Sequence, residues 1–255
     1  MPHALITGAS SGIGEALARE LHAAGYTVSL VARRLEKLEQ LCASLHDRAH
    51  AFRCDLSDPD QGARVLAQAE AQFGPIDLLV NNAGVENTGP TAESDVTESE
   101  SLLRTNLLTP LRLTRLVLPG MLARKSGVIV QVASMAAVSA LPGQSWYGAS
   151  KAGLAMFSET LRNELRKTGV HVVTVYPGPV RTPMADNAYA RFGGRKGVVG
   201  FAPEGTAGEL AKLIRRAVER RRPRVVYPGF YALGWWFPRL SMFVTNLLAP
   251  QPLAR

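Results

Sequence analysis

Short runs rich in valine, isoleucine and leucine alternate along the chain with longer segments whose apolar residues recur at helical spacing. HALI (3–6), TVSLVA (27–32), HAFRC (50–54), IDLLV (76–80), GVIVQVA (127–133), VHVVTVY (170–176) and RVVY (224–227) read as strands. Helical patterns lie between them near 14–24, 35–46, 59–73, 97–123, 147–168 and 203–221. Strands that alternate with helices in this way predict an α/β fold, a doubly wound parallel sheet of about seven strands with helices on both faces. No linker, repeat or low-complexity tract divides residues 1–255, so a single domain is expected.

Two segments break the alternation. PGPVRTPMADNAYARFGGRKGVVGFAP joins the sixth strand to the helix at 203, and a loop of that length in a compact domain is expected to be functional. Residues 181–202 read as a lid over a substrate site, with Met184, Tyr189 and Phe192 as apolar contacts. The second segment, VVYPGFYALGWWFPRLSMFVTNLLA (225–249), is apolar and aromatic with one charge, Arg239. It is long enough to span a bilayer, but Pro228, Gly229, Gly234 and Pro238 interrupt any continuous helix and Arg239 sits mid-segment. Two readings stay open: a cover for an apolar pocket or a subunit contact, or a membrane-surface contact through 228–248 using Trp235, Trp236, Phe237 and Phe243.

Composition adds little to fold class: 46% hydrophobic and 20% charged residues in 255 describe an ordinary globular chain. The net charge of +8 is concentrated in Arg215, Arg216, Arg220, Arg221, Arg222 and Arg224. A solvated helix end explains that cluster, with an anionic membrane surface or a nucleotide phosphate as alternatives. No helix-turn-helix, zinc-finger or RNP pattern accompanies it, so no nucleic-acid partner is expected. Cys42 and Cys54 read as buried or half-buried thiols of a reducing compartment, and the N-terminus has no secretory pattern; a cytoplasmic location, or a peripheral one at a membrane, follows. The five histidines lack ligand spacing, so no metal site is expected.

The chemistry gathers at strand ends. LITGASSGIG sets a strand, then Gly8, Ser10, Ser11, Gly12, Ile13 and Gly14, then a helix, and a glycine turn there lets the backbone approach a pyrophosphate. The acidic residue that would hold a ribose 2′-hydroxyl after the second strand is replaced by Arg33 and Arg34, whose guanidinium groups suit a 2′-phosphate and so NADP(H). After the third strand Asp55 is placed to take an adenine amino group, with the Leu56 backbone along the ring. NNAG follows the fourth, a small-residue turn with Asn82, Ala83 and Gly84 passing close to a flat ligand. Ser134 follows the fifth, and PGPVRT, with Pro177, Gly178, Val180 and Thr182, the sixth.

TGASSGIG, NNAG, Asn106, Ser134, Tyr147-x-x-x-Lys151 and PGPVRT, in that order, resemble the short-chain dehydrogenase/reductase family over residues 1 to about 185. The resemblance implies a Rossmann-type fold, NADP(H) dependence and a homo-oligomer, dimer or tetramer, built through the long helices. Read alone, Ser134 is a helix cap, Asn106 a satisfied polar group and Tyr147/Lys151 a surface pair. Beside the cofactor loops they read as catalytic. A phenol titrates near pH 10, and an ammonium one helical turn away is expected to lower it toward the range useful for acid–base work. Ser134 then hydrogen-bonds the reacting oxygen. By resemblance, Lys151 also reaches the nicotinamide ribose and Asn106 holds a water that links Lys151 to solvent.

These readings combine into an NADP(H)-dependent oxidoreductase that interconverts a carbonyl and a secondary alcohol on a hydrophobic small molecule. A lipid-like, ketoacyl, steroid-like or xenobiotic ketone fits. The alternative is an NADP(H)-binding sensor or peripheral membrane protein with little turnover.

Overall fold

The structure, a computed structural model, describes residues 1–192, 194 and 203–249. Among these, seven strands form one parallel sheet: β1 (His3–Thr7), β2 (Thr27–Ala32), β3 (Ala49–Arg53), β4 (Leu78–Asn81), β5 (Gly127–Val132), β6 (Val170–Pro177) and β9 (Arg224–Tyr227). Their order is β3-β2-β1-β4-β5-β6-β9, and each pair is parallel. The strand alternation divides the core into two layers, because successive side chains point to opposite faces. Ile6, Leu30, Val80, Val130 and Val175 pack on one face, against Leu17 and Leu21 of α1 (Gly12–Ala23), Leu38 and Leu41 of α2 (Leu35–Leu45), and Leu210 and Ile214 of α8 (Ala207–Glu219). Leu5, Val31, Leu79, Ile129 and Val172 pack on the other. They meet Val65 and Leu66 of α3 (Pro59–Phe73), Val117 and Met121 of α5 (Thr109–Arg124), and Leu161 of α6 (Ser145–Glu164). Burial on both faces is why the strands read as almost continuous apolar runs.

The fold class matches the expectation, and three local features differ from it. The pattern at 97–123 is α4 (Val96–Leu103) and α5 joined by one widened, π-type turn over Arg104–Leu108. Such a turn keeps helical spacing on either side, so periodicity passes over it. The stretch expected to be a loop after β6 instead contains β7 (Val180–Arg181), which pairs with β8 (Gly205–Thr206), and α7 (Pro183–Arg191). Thr182 caps α7 by accepting from the Ala185 N–H at 3.3 Å, and Pro183 occupies its first turn, where no N–H is needed. The expected lid beyond this point, residue 193 and 195–202, lies outside the described residues, as do 250–255. Finally, the apolar C-terminal segment folds into α9 (Ala232–Trp236) and α10 (Pro238–Leu248), separated where Phe237 meets Pro238.

The chain runs from β1 outward to β2 and β3, then crosses back to β4 on the other side of β1. The reversal opens a crevice at the carboxyl ends of β1 and β4, the position at which doubly wound sheets hold ligands.

Candidate active site

The two loops flanking the crevice are tied by a β1 side chain. Thr7 Oγ1 accepts from the N–H groups of Asn82 and Ala83, both at 3.0 Å, and donates to Val80 O at 3.2 Å. Asn82 returns the tie, its side-chain amide donating to Thr7 O at 2.9 Å and to Gly8 O at 3.3 Å. The glycines follow from this crowding. Gly8 has φ +70°, and a Cβ there would meet Ala83 Cα at 2.7 Å. A Cβ on Gly14 would collide with the Gly8 carbonyl, so α1 starts directly under the turn with its N-terminal amides facing the crevice. Arg34 reaches back to the turn, donating to Ser10 Oγ and Ser11 Oγ at 2.9 Å, while Arg33 beside it is exposed.

A second group of polar residues lies deeper in the crevice. Lys151 is only 4% exposed. Its Nζ donates to Val132 O at 2.9 Å and stands 5.9 Å from the centre of the Tyr147 ring. Tyr147, half-buried, shares a hydrogen bond with Ser134. Ser134 Oγ also accepts from the Ala136 N–H at 3.1 Å, so the capping role and the site role coincide in one hydroxyl. Asn106 sits in the π-type turn, fully buried. Its Oδ1 accepts from Val85 N–H at 2.9 Å, and its amide donates to Val85 O at 2.8 Å and Ser150 Oγ at 3.1 Å. With both amide hydrogens used, the side chain holds the Gly84–Val85 backbone against α6 rather than presenting a donor to water. Gly84 leaves the space required: a Cβ there would lie 3.4 Å from Lys151 Nζ.

The electrostatics correct one expectation. Burial pushes the Tyr147 phenol up; the Ser134 hydrogen bond opposes this, and the carboxyl of Glu86 adds to it. Burial pulls the Lys151 ammonium down to about 8. The protein groups alone therefore do not depress the phenol as expected from an adjacent ammonium, because loss of water by the buried phenol dominates. Glu86 was not anticipated. It is a half-buried carboxyl on the same cavity wall, accepting from Thr88 Oγ1 at 2.5 Å, and desolvation raises its pKa.

One cavity of about 860 Å³ joins these parts. Every sequence-predicted cofactor or catalytic residue lines it except Gly14, which lies beneath the glycine turn, and Asn106, which stands behind Gly84. Met184, Tyr189 and Phe192 line it too. Its far wall is the C-terminal cap, with Tyr231, Leu233, Phe237, Leu240 and Val244. Trp235 anchors that cap, its ring 5.8 Å from Tyr176 and 5.0 Å from the Arg224 guanidinium. Arg224 in turn pairs with Glu159 on α6, the helix that carries Tyr147 and Lys151. Residues of the 225–249 segment thus form one wall of the cavity.

Comparison with known proteins agrees. A family profile described as short chain dehydrogenase matches residues 2–191. The ketoacyl reductase HetN of Nostoc sp. is 42% identical over 179 residues, 69% of this chain and 62% of that protein. Dehydrogenase/reductase SDR family member 7B of Rattus norvegicus is 31% identical over 258 residues, covering 97% of this chain and 77% of its own length. Among solved structures, a short-chain dehydrogenase from Sphingobium yanoikuyae in complex with NADPH aligns over 97% of this chain and 95% of its own, with 30% identity and a TM-score of 0.81. The chain belongs to the short-chain dehydrogenase/reductase family and is an oxidoreductase.

Proposed function

We propose that the protein interconverts a carbonyl and a secondary alcohol on a hydrophobic small molecule, with NADP(H) as the redox partner. The observation that carries this reading is a single cavity joining a glycine turn and two arginines, half-buried Ser134 and Tyr147 beside buried Lys151, and an apolar C-terminal wall. The residues present fit a dinucleotide. A Cβ at Gly8 or Gly14 would meet the Ala83 backbone or the Gly8 carbonyl, so glycine there lets the turn fold tightly over the α1 amides and leaves them open to a phosphate. Ser10, Ser11 and Ile13 would flank the pyrophosphate, Asp55 and Leu56 the adenine, and Asn82, Ala83, Gly84, Pro177, Gly178, Val180 and Thr182 the nicotinamide half. Arg33, exposed at the cavity edge, would meet a 2′-phosphate, and Arg34 would hold the turn beside it. The NADPH carried by the Sphingobium relative supports the same choice.

When bound, the cofactor supplies or accepts a hydride. The chain supplies the proton and the polarisation. Tyr147 passes its phenolic proton to the growing alkoxide, and Ser134 donates a hydrogen bond to the same oxygen. Lys151, charged at neutral pH, favours the phenolate that remains. Asn106 keeps the Gly84–Val85 backbone and α6 in register, so that Lys151 has one position. Exposed Leu108, Leu116 and Met156 on the outer surfaces of the π-type turn, α5 and α6 suit a homo-oligomer assembled through these helices.

The test is oxidation of reduced nicotinamide against ketones running from small diketones to long-chain ketoacyl esters and steroids. Turnover that rises with chain length or ring size is expected for the parent. Tyr147→Phe should bind NADPH within about twofold of the parent yet lose turnover by about a thousandfold or more. Residual turnover within about tenfold would remove Tyr147 as the proton donor.

A further inference from the structure

The C-terminal cap is apolar on its outer side as well as on its cavity side. In α10, Leu240, Ser241, Val244 and Thr245 line the cavity. Met242, Phe243 and Leu247 lie off that lining and are exposed. A helix packed on a core in water turns polar residues outward. Large apolar side chains in their place mark a contact surface. Trp236, on α9, extends the outward surface; it is 70% exposed, Phe243 66% and Leu247 71%.

This surface is continuous with the cavity mouth. Leu233, Phe237, Leu240 and Val244 line the cavity and are exposed, and Leu141 and Met184 supply an equally apolar rim. A second copy of the chain seated here would cover that mouth, whereas a fluid apolar phase would feed it. Charge points the same way. Residues 225–249 hold no acidic side chain, and Arg239, exposed at the start of α10, is placed to reach a headgroup phosphate while its neighbours sink. Arg220, Arg221 and Arg222 take no part. His171 near the amino end of β6 bonds Arg222 O, so Arg220, Arg221 and Arg222 lie at the opposite end of the sheet from the cap. Among the described residues no helix is long and apolar enough to cross a membrane, which leaves a surface contact.

We infer that the outer face of α9 and α10 rests on a lipid bilayer surface, with the pocket mouth opening into the acyl region, so that the substrate enters from the membrane. The inference relies on the proposed carbonyl chemistry only for what passes through the mouth.

The experiment is co-sedimentation of the full chain with phosphatidylcholine vesicles, with and without phosphatidylserine, for the parent and for a triple variant, Trp236→Ser, Phe243→Ser and Leu247→Ser. None of these three side chains lines the cavity. The parent is expected on both vesicles, with a modest gain from phosphatidylserine that Arg239→Glu removes. The triple variant should bind about tenfold more weakly or worse, while NADPH binding and turnover of a small water-soluble ketone stay at parental level. Parent protein that sediments with neither vesicle overturns the inference. A parent that is a dimer, which the triple variant makes monomeric, and that ignores vesicles assigns the face to a second copy instead. Failure of turnover on every ketone would count against the proposed reaction, and vesicle binding is read independently of it.

Discussion

Lys151 is a cation stripped of almost all its water, a placement that the proposed chemistry would explain. Burial lowers its pKa from 10.5 to about 8. Below pH 8 the folded state therefore holds a charge it disfavours and the unfolded state does not mind, so the residue costs stability there. That cost is relieved as pH rises from about 8, where the folded form loses its proton, to 10.5, where the unfolded form does. Lys151→Met should raise unfolding free energy at pH 7 by about 2 kcal/mol, abolish turnover, and lose its stability advantage as pH climbs through that window. Chemical denaturation at several pH values measures it, and a variant less stable than the parent at pH 7 would refute the account.

At the scale of elements, the turn after β1 and the start of α2 act together. Arg34 spends hydrogen bonds on Ser10 and Ser11, whereas Arg33 is exposed at the cavity edge. Arg33→Asp should raise KM for NADPH about tenfold or more and alter KM for NADH little, because it replaces attraction to a 2′-phosphate by repulsion. Steady-state kinetics with both cofactors decide it, and unchanged selectivity removes the assignment. The cap is the second element that works as a unit. Trp235, held between Tyr176 and Arg224, connects it to Glu159 on α6, the helix of Tyr147 and Lys151. Trp235→Ala should raise KM for long apolar ketones about tenfold while leaving small ones within about twofold, since it loosens the wall that only large substrates touch. An equal loss across the series would mean that Trp235 supports the fold and not the wall.

Across the whole molecule, charge and greasiness are segregated. Two arginines of the basic cluster are paired: Arg215 with Glu20 and Glu219, and Arg224 with Glu159. Arg224 alone of the cluster reaches the aromatic segment, through Trp235, while Arg220, Arg221 and Arg222 are exposed away from it. The sheet separates the two, with arginines 220–222 at its amino edge and the cap at its carboxyl edge. Cys42 and Cys54 are free thiols, half-buried and buried, and burial pushes Cys54 up to about 11, which keeps it an inert core residue.

Much of this was legible in one dimension because its causes are local. A strand buried on both faces must be apolar at nearly every position, so the seven sheet strands were visible, and the turn glycines were marked by the residues around them. The order of motifs along the chain was enough to bring nearly every named residue into one cavity. What remained hidden depended on contacts between distant segments. The π-type turn at Asn106 preserves helical periodicity on both sides, so only its bonds to Val85 and Ser150 reveal its purpose. The α7 start was written as Thr182-Pro183 but lay next to glycines that suggested a loop. Glu86 bore no pattern at all, and its effect on Tyr147 arises from sharing a cavity wall. Composition revealed that residues 225–249 are apolar. Only the tertiary fold could decide which of them face the pocket and which face out, because a side chain's surroundings are set by what the rest of the chain lays against it.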